Sequence, residues 1–100
     1  MSPNISIDRV VISAFCRRHH ITRLALFGSV LRDDFGPDSD VDVLVAFEEG
    51  ALWDLFDWVE MIEELKEVFG REVDLVDKTA IRNPFRRHSI LRAHEVIYAA

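Results

Sequence analysis

The stretch Gly28-Ser29-Val30-Leu31-Arg32-Asp33-Asp34-Phe35-Gly36-Pro37-Asp38-Ser39-Asp40-Val41-Asp42-Val43-Leu44-Val45 decides how this chain is read. It is entered from a short apolar run, Thr22 to Phe27, which stops at Gly28-Ser29 as a buried strand stops at a turn. Val30 to Arg32 predict a short helix, and residues 33–39 gather the strongest turn formers of the chain into a loop. Asp40 to Phe47 then read as a second strand, β-branched and nearly continuous in apolar residues after an acidic start. Side chains two apart on a strand share a face, so Asp40 and Asp42 project together.

Helices and one more strand extend outward from this stretch. Ile7, Val10, Val11, Ala14 and Phe15 recur at helical spacing between Ser6 and His19, with Ser6 as the expected N-cap and Asp8 as a first-turn acid. His19 and His20 are expected to close that helix. Leu52, Leu55, Phe56, Val59, Ile62, Leu65 and Phe69 trace one apolar stripe opposite Asp57, Glu60, Glu64 and Glu67, and Gly70 is placed to cap it. Trp53 and Trp58 flank the stripe, where the edge of the core is the expected place for both. Arg71 to Asp77 alternate as a third strand that carries Asp74, and Asn83-Pro84 opens a last helix running toward His94. The resulting expectation is an α/β (α+β) fold, a small mixed sheet of three or more strands with helices packed on it, formed by residues 1–100 as one domain. Strands two and three are candidate neighbours.

The acids then need an explanation. Two carboxylates on one strand face repel each other and raise each other's pKa, a cost that a hard divalent cation such as Mg²⁺ turns into binding. Asp74, on an adjacent strand, supplies a third oxygen ligand. Three carboxylates suffice to hold two ions about 3.5–4 Å apart, one at an attacking oxygen and one at a leaving group. Gly28 lets the backbone approach a phosphate closely, and Ser29 adds a hydroxyl donor. Taken singly, each acid also reads as an ordinary turn or solvated strand residue; the spacing of all of them is what argues for a site.

Composition narrows the alternatives. Residues 1–77 carry 7 basic against 17 acidic side chains, whereas 78–100 carry 5 basic against 1 acidic. A net charge of −6 disfavours a long nucleic-acid substrate, because binding to a phosphate backbone is driven by Lys and Arg. The basic tail, Lys78, Arg82, Arg86, Arg87 and Arg92, has two readings: a solvated helix face, or a surface toward a triphosphate or an acidic partner. The single Cys16 excludes an internal disulfide and reads as a buried small apolar residue. Met1-Ser2-Pro3-Asn4 carry no targeting signal and no segment reaches membrane-spanning length, so a soluble cytoplasmic protein is expected.

The stretch from Gly28 to Val45, with its Gly-Ser pair separated by ten residues from Asp-x-Asp, closely resembles the signature of the minimal nucleotidyltransferases in the polymerase-β-like superfamily. The resemblance continues through Val73-Asp74-Leu75-Val76 to Asn83-Pro84 and the closing helix. It implies a nucleotidyl transfer in which Gly28 and Ser29 hold the triphosphate, Asp40 and Asp42 serve both metal ions, and Asp74 serves the metal nearer the acceptor and accepts its proton. Arg32 matches a basic position common after the Gly-Ser turn, and Asp33 stands where the family usually has glycine. Short members are similar to the antitoxin half of two-gene modules whose other half is a helical HEPN toxin. For this chain the resemblance implies transfer of AMP from ATP, with Mg²⁺, onto a toxin tyrosine. Two further readings remain at this point: transfer to a small-molecule hydroxyl, for which family members carry an additional substrate-binding domain, and an antitoxin that neutralises by binding alone.

Overall fold

A computed structural model of the chain describes residues 4–100, so the reading of Met1-Ser2-Pro3 as free of a targeting signal lies outside it. The elements in order are α1 (Arg9–Arg18), β1 (Ile21–Phe27), a single 3-10 turn (Gly28–Leu31), β2 (Val41–Phe47), α2 (Leu55–Phe69), β3 (Val73–Asp77), a second 3-10 turn (Lys78–Ala80), α3 (Pro84–Arg92) and β4 (His94–Ala99). The strands form one mixed sheet in the order β3-β2-β1-β4. β1 runs antiparallel to both β2 and β4, while β2 and β3 are parallel, joined by the α2 crossover that parallel pairing requires.

Strand alternation builds two cores from one sheet. Leu24 and Leu26 of β1 and Val41, Val43 and Val45 of β2 pack with Ile12, Phe15 and Cys16 of α1 and Met61, Leu65 and Phe69 of α2. Ala25 and Phe27 of β1 and Leu44 of β2 point the other way and meet Ile81 and Ile90. Two helices therefore cover one face, and the short α3 covers only part of the other. Cys16 is fully buried among apolar neighbours, and burial pushes its thiol up to about 12, as suits a packing residue.

Several expectations change in detail. Asp8, not Ser6, caps α1: its carboxylate accepts from the amides of Val10 and Val11, a charged acceptor for two donors the helix leaves open. His19 closes α1 with its ring 4.8 Å from that of Phe15, and His20 turns the chain into β1 at φ 57. α2 begins at Leu55 behind a reciprocal capping box between Asp54 and Asp57, and Gly70 closes it in the left-handed conformation. Only the second half of the expected stripe is buried; Leu52, Leu55, Phe56 and Val59 are exposed. The 15 residues of α2 span about 22 Å. The 5 residues of β3 beneath it span only about 17 Å, so the helix outruns its support.

The largest difference lies at the C-terminal end. α3 runs from Pro84 to Arg92 behind the Asn83 cap, as expected, but His94–Ala99 then form β4 against β1, a strand the sequence reading does not place. With β4 in place β1 is an internal strand, which accounts for its apolar residues on both faces.

Candidate active site

The same alternation positions the acids. Asp42 shares the parity of Leu44, and Asp74 that of Val76, so both face the side of the sheet that α3 only partly covers. The parallel register pairs Asp42 with Asp74 directly. Asp40 lies one residue before β2 and is exposed, as is Asp74, while Asp42 is half-buried. The acids thus stand at the starting ends of two parallel strands, where the apolar cover has run out.

Gly28 brings the Gly-Ser turn to the same point. Phe27 is the register partner of Asp42, and the next residue, Gly28, turns away at φ 74. A Cβ on Gly28 would collide with Oδ2 of Asp42, so any other residue here would strain the backbone and displace the Asp42 carboxylate. The short helix expected at Val30–Arg32 is a single 3-10 turn of 4 residues, Gly28–Leu31, too short for a helix macrodipole. Asn4 secures it, its side chain donating to the carbonyls of Val30 at 2.9 Å and Arg32 at 2.7 Å.

Asp42 is the electrostatic centre. Burial holds its carboxyl above the ordinary carboxylate range, and the charges of Asp74 and Asp40 push it further; Arg32 and Arg86 pull in the opposite direction. Among the described residues, no three carboxylate, imidazole or thiol side chains already stand close enough together to hold a metal ion. The donor set suits a hard divalent cation, which takes oxygen ligands and removes the repulsion that raises Asp42.

The loop leading to Asp40 is held by a residue that motif spacing does not reveal. Arg71, just after α2, places its guanidinium 4.4 Å from the ring centroid of Phe35 and donates to the carbonyls of Gly36 at 2.7 Å and Ser39 at 3.0 Å. Arg32 is exposed and paired with Asp34 at 3.1 Å. Asp33, which stands where glycine is usual in the resembled family, is exposed and does not adopt a left-handed backbone, so its position makes no demand for glycine.

Two hollows flank Arg86, a first-turn residue of α3. One, of about 340 Å³, is lined by Gly28, Leu31, Arg32 and Ser89; the other, of about 500 Å³, by Asp74, Asp77, Trp53, Trp58 and Ile81. Arg86 lines both, which singles it out from the basic tail. Arg87 instead donates to the carbonyl of Lys78 at 3.2 Å.

The nucleotidyltransferase domain model matches residues 9–97, which takes in every strand and helix around these acids except the last two residues of β4. The chain belongs to the nucleotidyltransferase domain family. Among similar proteins, this nucleotidyltransferase is 37% identical over 81 residues to a protein adenylyltransferase, MntA, of Thermococcus cleftensis, covering 81% of this chain and 77% of that protein. A solved structure described as a candidate minimal nucleotidyltransferase superposes with TM-score 0.69 at 37% identity, over 86% of this chain and 85% of that one. The fold also matches, with TM-score 0.64 at 18% identity over 92% of this chain and 70% of the other, a chain from the complex of a tri-AMPylated Shewanella oneidensis HEPN toxin with its MNT antitoxin. Among the described residues, no helix is long and apolar enough to cross a membrane.

Proposed function

We propose that this nucleotidyltransferase acts as an antitoxin enzyme that transfers AMP from ATP to a tyrosine hydroxyl of a partner HEPN toxin. The observation that carries the chemistry is the register pairing of Asp42 with Asp74 beside a turn at Gly28 whose backbone favours glycine and whose Cβ position is filled by the Asp42 carboxylate. The likeness to MntA of Thermococcus cleftensis supports protein as the class of acceptor, and the fold shared with a chain of the complex between an AMPylated HEPN toxin and its MNT antitoxin supports the partner.

Asp40, Asp42 and Asp74 would hold Mg²⁺, which when bound neutralises phosphate charge and makes the acceptor oxygen a better nucleophile. The chain's own residues do the positioning. Gly28 and Ser29 bring backbone and hydroxyl donors to the triphosphate, while Arg32 and Arg86 supply positive charge on the same side. In the transfer, the acceptor oxygen forms a bond to the α-phosphorus, the bond from that phosphorus to the bridging oxygen breaks, and pyrophosphate leaves. The acceptor proton passes to the Asp74 carboxylate, whose exposed position lets it return the proton to water.

The test is to incubate the protein with labelled ATP, Mg²⁺ and the HEPN protein encoded beside it. Label on the partner, lost in Asp40→Asn/Asp42→Asn together with neutralisation of the toxin, is the expected result. No transfer to the authentic partner would overturn the proposal, and neutralisation that survives the double substitution would make the protein a binding-only antitoxin.

A further inference from the structure

The hollow on the Asp74 side of Arg86 has a wall unlike the rest of the surface. Trp53 and Trp58 stack with ring centroids 4.8 Å apart, and Phe47 extends the stack at 5.5 Å from Trp53. Asp74 and Arg86 line the same space, and Ile81 closes its apolar side. A flat apolar wall facing a carboxylate suits an amphipathic ligand, one with an aromatic body and a polar tip. Leu52, Leu55 and Phe56, all within three residues of Trp53 in the chain, are exposed, an apolar apron in the sequence around it.

The side from which the acceptor comes follows from the reaction. Attacking and leaving oxygens lie roughly in line across the transferring phosphorus. Gly28 and Arg32 line the hollow on one side of Arg86, so a pyrophosphate held there leaves the Asp74 side for the attacking oxygen. A nucleobase would also stack on tryptophan, but it has no use for an exposed apolar apron, whereas a side chain presented on a protein surface does.

We infer that this hollow is the acceptor site and selects an aromatic hydroxyl, the ring resting on Trp53 and Trp58 and the hydroxyl directed at Asp74. The inference rests on the AMP-transfer reading and adds the residues that choose the acceptor. Trp53 and Trp58 are specificity residues; the phenolic oxygen makes the new bond to phosphorus and its proton goes to Asp74.

These are the only 2 tryptophans in the chain, so fluorescence excited selectively in tryptophan reports on this wall; Trp53 also lines a smaller hollow with His19 and His20, and Trp58 lines only the hollow beside Asp74, so the response is read in Trp53→Phe as well. Titration with p-cresol is expected to give a saturable change, whereas 1-propanol and adenosine at equal concentration do not. In transfer to the HEPN partner, Trp53→Ala is expected to raise the KM for partner about 10-fold with the KM for ATP unchanged, and Trp53→Phe to restore it. Transfer by the wild type combined with no response to p-cresol and an unaltered partner KM in Trp53→Ala overturns the inference and leaves the transferase standing. A raised KM for ATP, or quenching by adenosine, overturns it in favour of a nucleobase site. Saturable p-cresol binding by a protein that transfers nothing supports the hollow and overturns AMP transfer instead.

Discussion

Asp42 occupies the strand position where the second core has ended, beside the start of the Gly-Ser turn. Its carboxylate fills the space a side chain at Gly28 would need, and this close approach ties the two halves of the motif together. Gly28→Ala should therefore reduce AMP transfer by about 100-fold or more, an effect of roughly 3 kcal/mol on the barrier, because both the φ of 74 and the position of Asp42 must yield. Retention of wild-type rate in a folded Gly28→Ala protein would show that the contact is not needed. Asp42 also gives a signed pH prediction. Without metal, the folded state holds its proton more tightly than the unfolded chain does. The stability that this proton confers is present at low pH and is lost as pH rises through the raised value. Tm of the wild type in chelator should accordingly fall relative to Asp42→Asn across that rise, and Mg²⁺ at neutral pH should close the gap. A relative Tm that climbs with pH would mean that burial and the neighbouring acids do not act on Asp42 as described. The acids and Gly28 were legible in the sequence because strand parity is local and a Gly-Ser turn announces itself. Arg86 was legible only as one of five basic residues, since its selection depends on how α3 docks, which no local spacing encodes.

At the scale of elements, the sheet order needed β4, and the sequence reading did not place it. Glu95-Val96-Ile97-Tyr98 has the β-branched and aromatic content of a strand, yet it follows an N-capped helix without glycine or proline to mark the change. The pairing partner, β1, lies about seventy residues away, so nothing local to residues 94–99 shows what they pair with. α2 shows the opposite case: its stripe reads correctly as helical, while the exposure of Leu55, Phe56 and Val59 depends on where the helix lies over the sheet. The loop from Gly36 to Ser39 depends on Arg71, which lies beyond α2 and bridges 35 and 32 residues to its two carbonyls. Arg71→Lys keeps the charge but cannot both stack flat on Phe35 and reach two carbonyls. The substitution should lower transfer about 10-fold and raise the Mg²⁺ concentration for half-maximal rate, with a Tm change of a few degrees. A variant that loses only Tm, with unchanged Mg²⁺ dependence, would make Arg71 a stabilising residue with no part in presenting Asp40.

At the scale of the molecule, one sheet divides two tasks. The face under α1 and α2 holds the larger core, and their helices are further tied by Glu64. Burial would raise Glu64, but hydrogen bonds from Arg18 and His19 outweigh it and hold its carboxyl below the ordinary range. The opposite face is left half-open, with acids at its edge and an aromatic hollow beside them. Such a site has shallow walls of its own, and a partner protein that carries the acceptor would complete it. The central claim is that Asp40, Asp42 and Asp74 act together as one metal site, and binding of Mn²⁺ in place of Mg²⁺, followed by electron paramagnetic resonance, tests it most directly. Each single Asp→Asn substitution should weaken Mn²⁺ binding in the folded protein, Asp74→Asn included; full Mn²⁺ affinity in Asp74→Asn would contradict the account.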